Sequence, residues 1–499
     1  MLRILGSRRS LCDGFTRREM LTAGGLTLLG LGLEDFLRLK ELQAAGRGTA
    51  GDSSFGRAKS CILLYLFGAP SHIEFCDLKP DAPREIRGDF KTIRSSLPGC
   101  DVCEHLPKTA GVMDRVSVVR SMTHDYPIHS ISYALTGLPQ PDTPLDLNPR
   151  DPRHWPFIGS VVEFVNGRKP AGSIPDNIAL PFPISSKRPA ALYAGFQPAY
   201  LGSAHAPIWT EFRGEATRRV SRPFFGNNPS YDGPDPYLGI TPEGRFEIGS
   251  VADYPGELTV DRLDRRRSLL EQFNQSRRDL DVSPLGRGMT RHREMAYSLI
   301  GSEKVRRALD LAREPRPLRD AYGMNLFGQS TLMARRLIEA GSRFVSVVWD
   351  EYGTFSTAWD THTHHFARMK GELLPGFDCA FSALINDLDA RGMLDETLVL
   401  CLSEHGRTPK ITDAPGGGRE HWSRCYSNLL AGGGIARGKV IGRTDKIGGA
   451  VMDRPMSPKD ILATVYHLLG IDPHTIVNNP LGRPFPLLAS GAVAHDLLA

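Results

Sequence analysis

The sequence predicts an α/β fold built on a mostly parallel sheet. Three observations lead there. Apolar runs of strand length recur at 61–67, 116–121, 343–349, 397–402 and 426–431. They are continuous rather than alternating, as strands buried on both faces are. A helical pattern, a glycine and a strand follow one another over 328–349 and again over 367–402, the rhythm of βα units. Carboxylates and imidazoles gather just past these runs, where α/β sheets carry their sites.

The totals agree. The chain has 499 residues, 40% apolar and 23% charged, with 51 glycines and 37 prolines. That is the composition of a folded, loop-rich protein with a large core. The net charge of +5 is small for this length, and no lysine/arginine stripe is interleaved with aromatics, so nucleic acid is not an expected partner. Eight cysteines are scattered. Cys100 and Cys103 form a lone CxxC, expected as a loop disulfide or two free thiols.

Taken in order, the chain opens with an address. Arg17-Arg18 precedes a Gly/Leu/Ala run over 20–33, and Ala44-Ala45-Gly46 offers small residues for cleavage. This pattern suits a Tat export signal over 1–45, read by the Tat translocon, cleaved or kept as an anchor. The apolar run is short of the ~20 residues a bilayer span needs, so the mature chain is expected to have no transmembrane span. Residues 46–58 read as a Gly/Ser-rich linker before a domain over 59–490.

The first strand, 61–67, runs into Gly68-Ala69-Pro70 and a loop holding Ser71, His72, Glu74 and Asp77. The second, 116–121, leads to His124, His129 and Ser130. A short helix follows, with Gly137 as its stop. Over about 138–290 prolines and glycines are dense, and a long loop-rich insertion capping the site is expected. Arginine-rich helical segments over 257–313 read as solvated faces. The last helix is expected over 458–469, with Ser457 as N-cap, Pro458 at its first position and Gly470 past its end.

The chemistry concentrates between Trp349 and Trp422. Asp360, His362 and His364 follow Trp359, Glu404-His405-Gly406 follows the fourth strand, and Glu420-His421 follows a run of glycines. Five of the fifteen histidines fall within 60 residues, each in a loop that also bears a carboxylate. Such mixed donors suit Zn²⁺ or Mn²⁺, with Ca²⁺ as the alternative, and one or two divalent metal ions are expected. Arg407 beside them is a candidate partner for a substrate oxyanion, or a structural ion pair.

The phrases GAPSHIEFCDLKPDAP, SMTHDYPIHSISYALTG, FGQSTLMARRLIEAGSRFV, WDTH, SEHGRTP and GGREHW resemble the domain-of-unknown-function family 1501, a sulfatase-like branch of the alkaline phosphatase superfamily. The resemblance covers nearly everything after residue 55. It implies a three-layer sandwich, a mostly parallel central sheet with helices on both faces. It also implies one or two metals and hydrolysis of sulfate or phosphate esters, with an anionic ester or a sulfated or phosphorylated glycan as substrate. Asp360, His364 and His421 match the superfamily's Asp-x-x-x-His pair and later His, with His362 as the rival of His364. Glu404-His405 is similar to its Asp-His pair. The superfamily's carboxylate at the end of the first strand is replaced here by Gly68-Ala69, which leaves Glu74 or Asp77 to serve. No formylglycine motif is present. The nucleophile is then absent, or is Ser130, or is a metal-bound water with His129 as base or ligand.

Overall fold

Among the described residues, nine strands share one sheet. They are β1 (Ser60–Leu66), β2 (Val116–Met122), β3 (Asn177–Leu180), β4 (Ile208–Arg213), β5 (Arg245–Ile248), β6 (Phe344–Trp349), β7 (Thr397–Leu402), β8 (Tyr426–Ala431) and β9 (Val440–Ile441). The computed structural model describes residues 53–499 apart from 168, 170–172, 189–191, 223–229, 249–301 and 480–481. The expected signal segment, most of the expected linker and the stretch 257–301 lie outside the described residues. The structural description concerns the unit Gly56–Ala499.

The strand order is β9-β2-β8-β7-β1-β6-β3-β4-β5. β1 is central, in parallel register with both neighbours: Ile62 lies opposite Val345 of β6 and Val399 of β7. β3 is parallel to β6 and to β4, and β9 is parallel to β2. Only β8 and β5 run against their neighbours. Every residue of β1, β6 and β7 is buried, which accounts for the continuous apolar runs in the sequence.

Helices cover both faces of the sheet. The helices that matter here are α1 (Ile131–Thr136), α2 (Ile158–Asn166), α3 (Leu326–Glu339), α4 (Leu374–Ala390) and α5 (Pro458–Leu468). Phe344 and Trp349 of β6 differ in parity and so point to opposite faces. Phe344 meets Phe157 at the start of α2, ring centroids 5.7 Å apart. Trp349 meets Phe327 of α3 at 4.8 Å and closes on Gly376 of α4. The expected three-layer α/β sandwich is therefore present.

Local chemistry sets the helix ends. Ser130 caps α1 by accepting from the Tyr133 N–H at 3.1 Å, and Gly137 ends it in a left-handed conformation. Ser457 and Asp460 form a capping box on α5. The helix expected over 367–391 is interrupted: a short helix His365–Arg368 and a π turn Met369–Leu373 precede α4. Pro375 explains the break, because it lacks an N–H and its ring crowds the preceding turn.

One expectation needs revision. The stretch taken as an insertion over about 138–290 supplies β3, β4 and β5 to the central sheet. These are strands of only four to six residues between prolines, too short to stand out as apolar runs. Of the two readings left open for Cys100 and Cys103, the structure shows buried free thiols.

The topology also fixes where a site can form. β6, β1 and β7 are adjacent and parallel, so their carboxyl ends share one edge. β8 runs against β7 and therefore starts at that edge, so the loop 403–425 must return there. β2 runs against β8, so it too ends at that edge, and the segment 123–130 leaves from it.

Trp349 ties β6 to α3, α4 and the site loop, with Tyr237 stacked on it at 5.4 Å and Trp359 edge-on at 5.4 Å. Trp349→Ala is expected to destabilise the protein by about 3–5 kcal/mol, read as a lowered urea midpoint.

Candidate metal centre

Four side chains from three loops converge at this edge: His129, Asp360, His362 and His421. His362 Nε2 lies 2.9 Å from Asp360 Oδ1. His129 Nε2 and His421 Nε2 each lie 3.4 Å from the same oxygen. The two imidazole nitrogens Nε2 of His362 and His421 are 3.2 Å apart. Ligands held at about 2.0–2.1 Å from one tetrahedral ion are separated by about 3.3 Å. The observed spacings are close to that edge length.

The outer partners decide which ring nitrogens face inward. His362 Nδ1 is 2.6 Å from Glu420 Oε2, His421 Nδ1 is 3.2 Å from the Pro127 carbonyl, and His129 Nδ1 is 2.8 Å from Glu404 Oε1. Each Nδ1 therefore donates its proton outward, and each Nε2 is directed at the Asp360 oxygen. Without an ion these inward groups would be mutually repelling acceptors. One of them carries a proton instead. Burial opposes charge on His129, but Asp360 and Glu404 outweigh it and raise its pKa to about 10. A ligating Nε2 gives that proton up. Burial also disfavours the Asp360 carboxylate, yet Arg407 and His129 hold its pKa well below the usual range. Burial keeps His421 neutral. The donor set, its spacing and its outer partners fit a divalent ion.

Glu404 and His405 lie directly behind His129 and form a second group with it. The Glu404 carboxylate already accepts from the Gly68 N–H at 2.8 Å, the Tyr65 hydroxyl at 3.0 Å, His129 Nδ1 at 2.8 Å and the Ser403 hydroxyl at 3.2 Å. Four bonds fill a carboxylate. Glu404 thus orients His129 rather than offering a free lone pair. His405 is fully buried, and burial drives its pKa well below 6.5. Its Nδ1 is 2.8 Å from the Gly406 carbonyl, and its Nε2 has no hydrogen-bond partner among the described residues.

Other expected site residues lie elsewhere. His364 is exposed, sits in a left-handed conformation at the start of the helix His365–Arg368, and is not part of the cluster. Its rival His362 is the one that joins the group around Asp360. Glu74 is no ligand: it pairs with Arg419 and, at 3.1 Å, with His365 Nε2. Asp77 bonds Thr444 and Lys79. The Ser130 hydroxyl caps α1, accepting from the Tyr133 N–H. Arg407 is fully buried and bonds the carbonyls of Gly68, Ala69 and Arg419, together with Asp360 Oδ1. Four of its five N–H groups are thus engaged, and the remaining one faces His362 Nε2 at 3.5 Å.

Sequence reasoning missed three contributors. Tyr65 and Gly68 hold Glu404, and Ser356, at φ +54°, donates to Asp360 Oδ2 at 3.0 Å. A strand tyrosine and a loop serine carry no local signal. Gly68 did stand at a strand end. At φ +96° a side chain there would meet the Asp360 backbone nitrogen at 2.4 Å, so only glycine fits.

The family model of proteins of unknown function, DUF1501, matches residues 58–498. The chain belongs to this family. Among solved structures, a DUF1501 chain of this kind is similar to Ps i-CgsB in complex with k-i-k-neocarrahexaose, at 12% identity and TM-score 0.38, covering 87% of this chain and 75% of that one. It is similar to a sulfatase from Pseudoalteromonas sp. at 12% identity and TM-score 0.38, covering 92% and 75%. It is similar to a phosphonate monoester hydrolase from Silicibacter pomeroyi at 12% identity and TM-score 0.32, covering 88% and 76%. No curated protein matches the sequence. No helix among the described residues of this family member is long and apolar enough to cross a membrane.

The Glu74–Arg419 pair braces the loop that carries His421. Burial opposes the Glu74 carboxylate, but Arg419 and His365 lower its pKa from 4.5 to about 2. A depressed carboxylate stabilises the fold above its unfolded pKa and loses that contribution as pH falls toward the folded value. Stability on the order of 3 kcal/mol is therefore expected to disappear between about pH 4.5 and pH 2. Glu74→Gln, which leaves Arg419 buried and unpaired, is expected to cost about 3–5 kcal/mol at pH 7. Urea titrations of both proteins between pH 7 and pH 3 should show the gap narrowing as the pH drops.

Proposed function

We propose that the protein is an exported, metal-dependent hydrolase of sulfate or phosphate esters, including esters carried on polysaccharides. The observation that carries this reading is the inward Nε2 of three imidazoles around one Asp360 oxygen, each ring fixed from outside by an acceptor on its Nδ1. His129, Asp360, His362 and His421 would hold the ion. A divalent ion there supplies Lewis acidity toward an ester oxygen and toward water.

The chain's own groups divide the remaining tasks. Glu404 fixes the orientation of His129, and Glu420 fixes that of His362. Ser356 and Arg407 fix Asp360. His405 packs behind His421 with ring centroids 4.6 Å apart and stays neutral, because burial and the neighbouring His129, His421 and Arg407 oppose a charge on it. His421 and Glu420 are the most open members of the site, with side chains 25% and 52% exposed, and a substrate would approach on their side. The twin arginine supports export by the Tat translocon to the periplasm or beyond.

A second reading is a metal-stabilised binding or scaffold protein of the same fold. One observation favours it: the Ser130 hydroxyl serves as a helix N-cap.

Purified mature protein is expected to contain a divalent metal by elemental analysis and to hydrolyse an aryl sulfate or aryl phosphate ester. Chelation should abolish turnover and added metal should restore it. Bound metal with no turnover on any ester would favour the scaffold reading, and no bound metal would overturn both. His421→Ala should lower metal occupancy. Glu404→Gln, which removes an orienting charge but no ligand, should weaken metal affinity about 10–100-fold in a competition titration.

A further inference from the structure

We propose that the centre holds a single metal ion, and that the Arg407 guanidinium is a built-in second cation that excludes another. The inference rests on the metal-binding reading above and concerns only how many ions the chain accepts.

Arg407 comes from a two-residue strand, Gly406–Arg407, paired with His421–Trp422. The hairpin therefore carries the guanidinium and a ligand side by side. The guanidinium is fully buried and touches Asp360 Oδ1, the oxygen on which the three imidazoles converge. Three carbonyls surround its other N–H groups: Gly68 and Ala69 at the end of β1, and Arg419 at 3.1 Å. Carbonyl and carboxylate oxygens of this kind could otherwise coordinate a hard cation. Here they are saturated by a permanent positive charge that cannot dissociate.

Charge counting points the same way. The buried anions at the centre are Asp360 and Glu404, and Arg407 already offsets one of them. One divalent ion with neutral imidazoles leaves an excess of one positive charge, which suits an anionic ester. A second would leave three positive charges within one small buried site. The second donor group offers no counterweight, because the Glu404 oxygens accept four hydrogen bonds and its partner His129 is shared with the first.

The test is a count of bound ions. Full-length mature protein, stripped with chelator and titrated with Zn²⁺ and separately with Mn²⁺, is followed by native mass spectrometry and calorimetry. One ion per chain at saturation is expected for wild type and for Arg407→Lys, which keeps the charge. A folded Arg407→Gln protein is expected to take up more than one. Two ions on wild type, or one ion on folded Arg407→Gln, would overturn the proposal. No ion on wild type would instead overturn the metal reading beneath it, so the two failures are distinguishable. Should Arg407→Gln not fold, the wild-type and Arg407→Lys counts still decide, and none of these readings depends on activity.

Discussion

A carboxylate buried at the rim of a sheet needs positive charge or hydrogen-bond donors around it, and the arrangement at this edge follows from that need at Asp360. Its side chain is 10% exposed. One oxygen meets a guanidinium and three imidazoles, and the other accepts from Ser356. Leaving such a charge uncompensated would cost several kcal/mol. Each compensating group is in turn held by its own partner: Glu404 for His129, Glu420 for His362, the Pro127 carbonyl for His421, and three carbonyls for Arg407. A substitution in the outer layer therefore acts on the centre without touching it.

The sheet makes this convergence possible. Parallel β6, β1 and β7 deliver Asp360, Gly68 and Glu404 to one edge, and antiparallel β8 obliges the loop carrying Arg407 and His421 to return there. Gly68 is the tightest point. Its N–H holds Glu404, its carbonyl holds Arg407, and its missing side chain admits the Asp360 backbone. A methyl group at this position would disturb three members of the centre together, which an added methyl on a surface loop would not do. Behind them, Arg419 and Glu74 lock the returning loop from the far side.

The parts legible in the sequence were those carried by local pattern. The five apolar runs are strands, because a parallel strand buried on both faces is apolar throughout. Ser457 and Gly137 marked helix ends by their own conformational chemistry. The short strands β3, β4 and β5 were hidden because four to six residues between prolines carry no period. At the site, residue type was legible but partnership was not. His362 and His364 lie in one loop, and choosing between them requires knowing that the backbone turns left-handed at His364 and carries its ring away. Glu74 reads as a ligand until Arg419, 345 residues away, is seen to occupy it. The role of Arg407 depends on the carbonyls at the end of β1, which have no side-chain signature.

That last case joins two facts that look separate in the sequence. Gly68-Ala69 follows β1, with no carboxylate there, and Arg407 follows Glu404-His405 beyond β7. In the folded chain they are one arrangement, since the carbonyls of Gly68 and Ala69 are acceptors for Arg407. A carboxylate at the end of β1 would add an anion and invite a second ion. Two backbone carbonyls, being neutral, fit a guanidinium that needs hydrogen-bond acceptors more than it needs charge. An arginine in place of a carboxylate makes the site more positive by as much as a divalent ion would, so the guanidinium stands in for such an ion in charge as well as in space. The centre keeps one strong anion where the imidazoles converge, Asp360, and one that orients His129, Glu404. On the single-ion proposal, the guanidinium and the two carbonyls behind it limit the number of ions, while His129, Asp360, His362 and His421 would hold one.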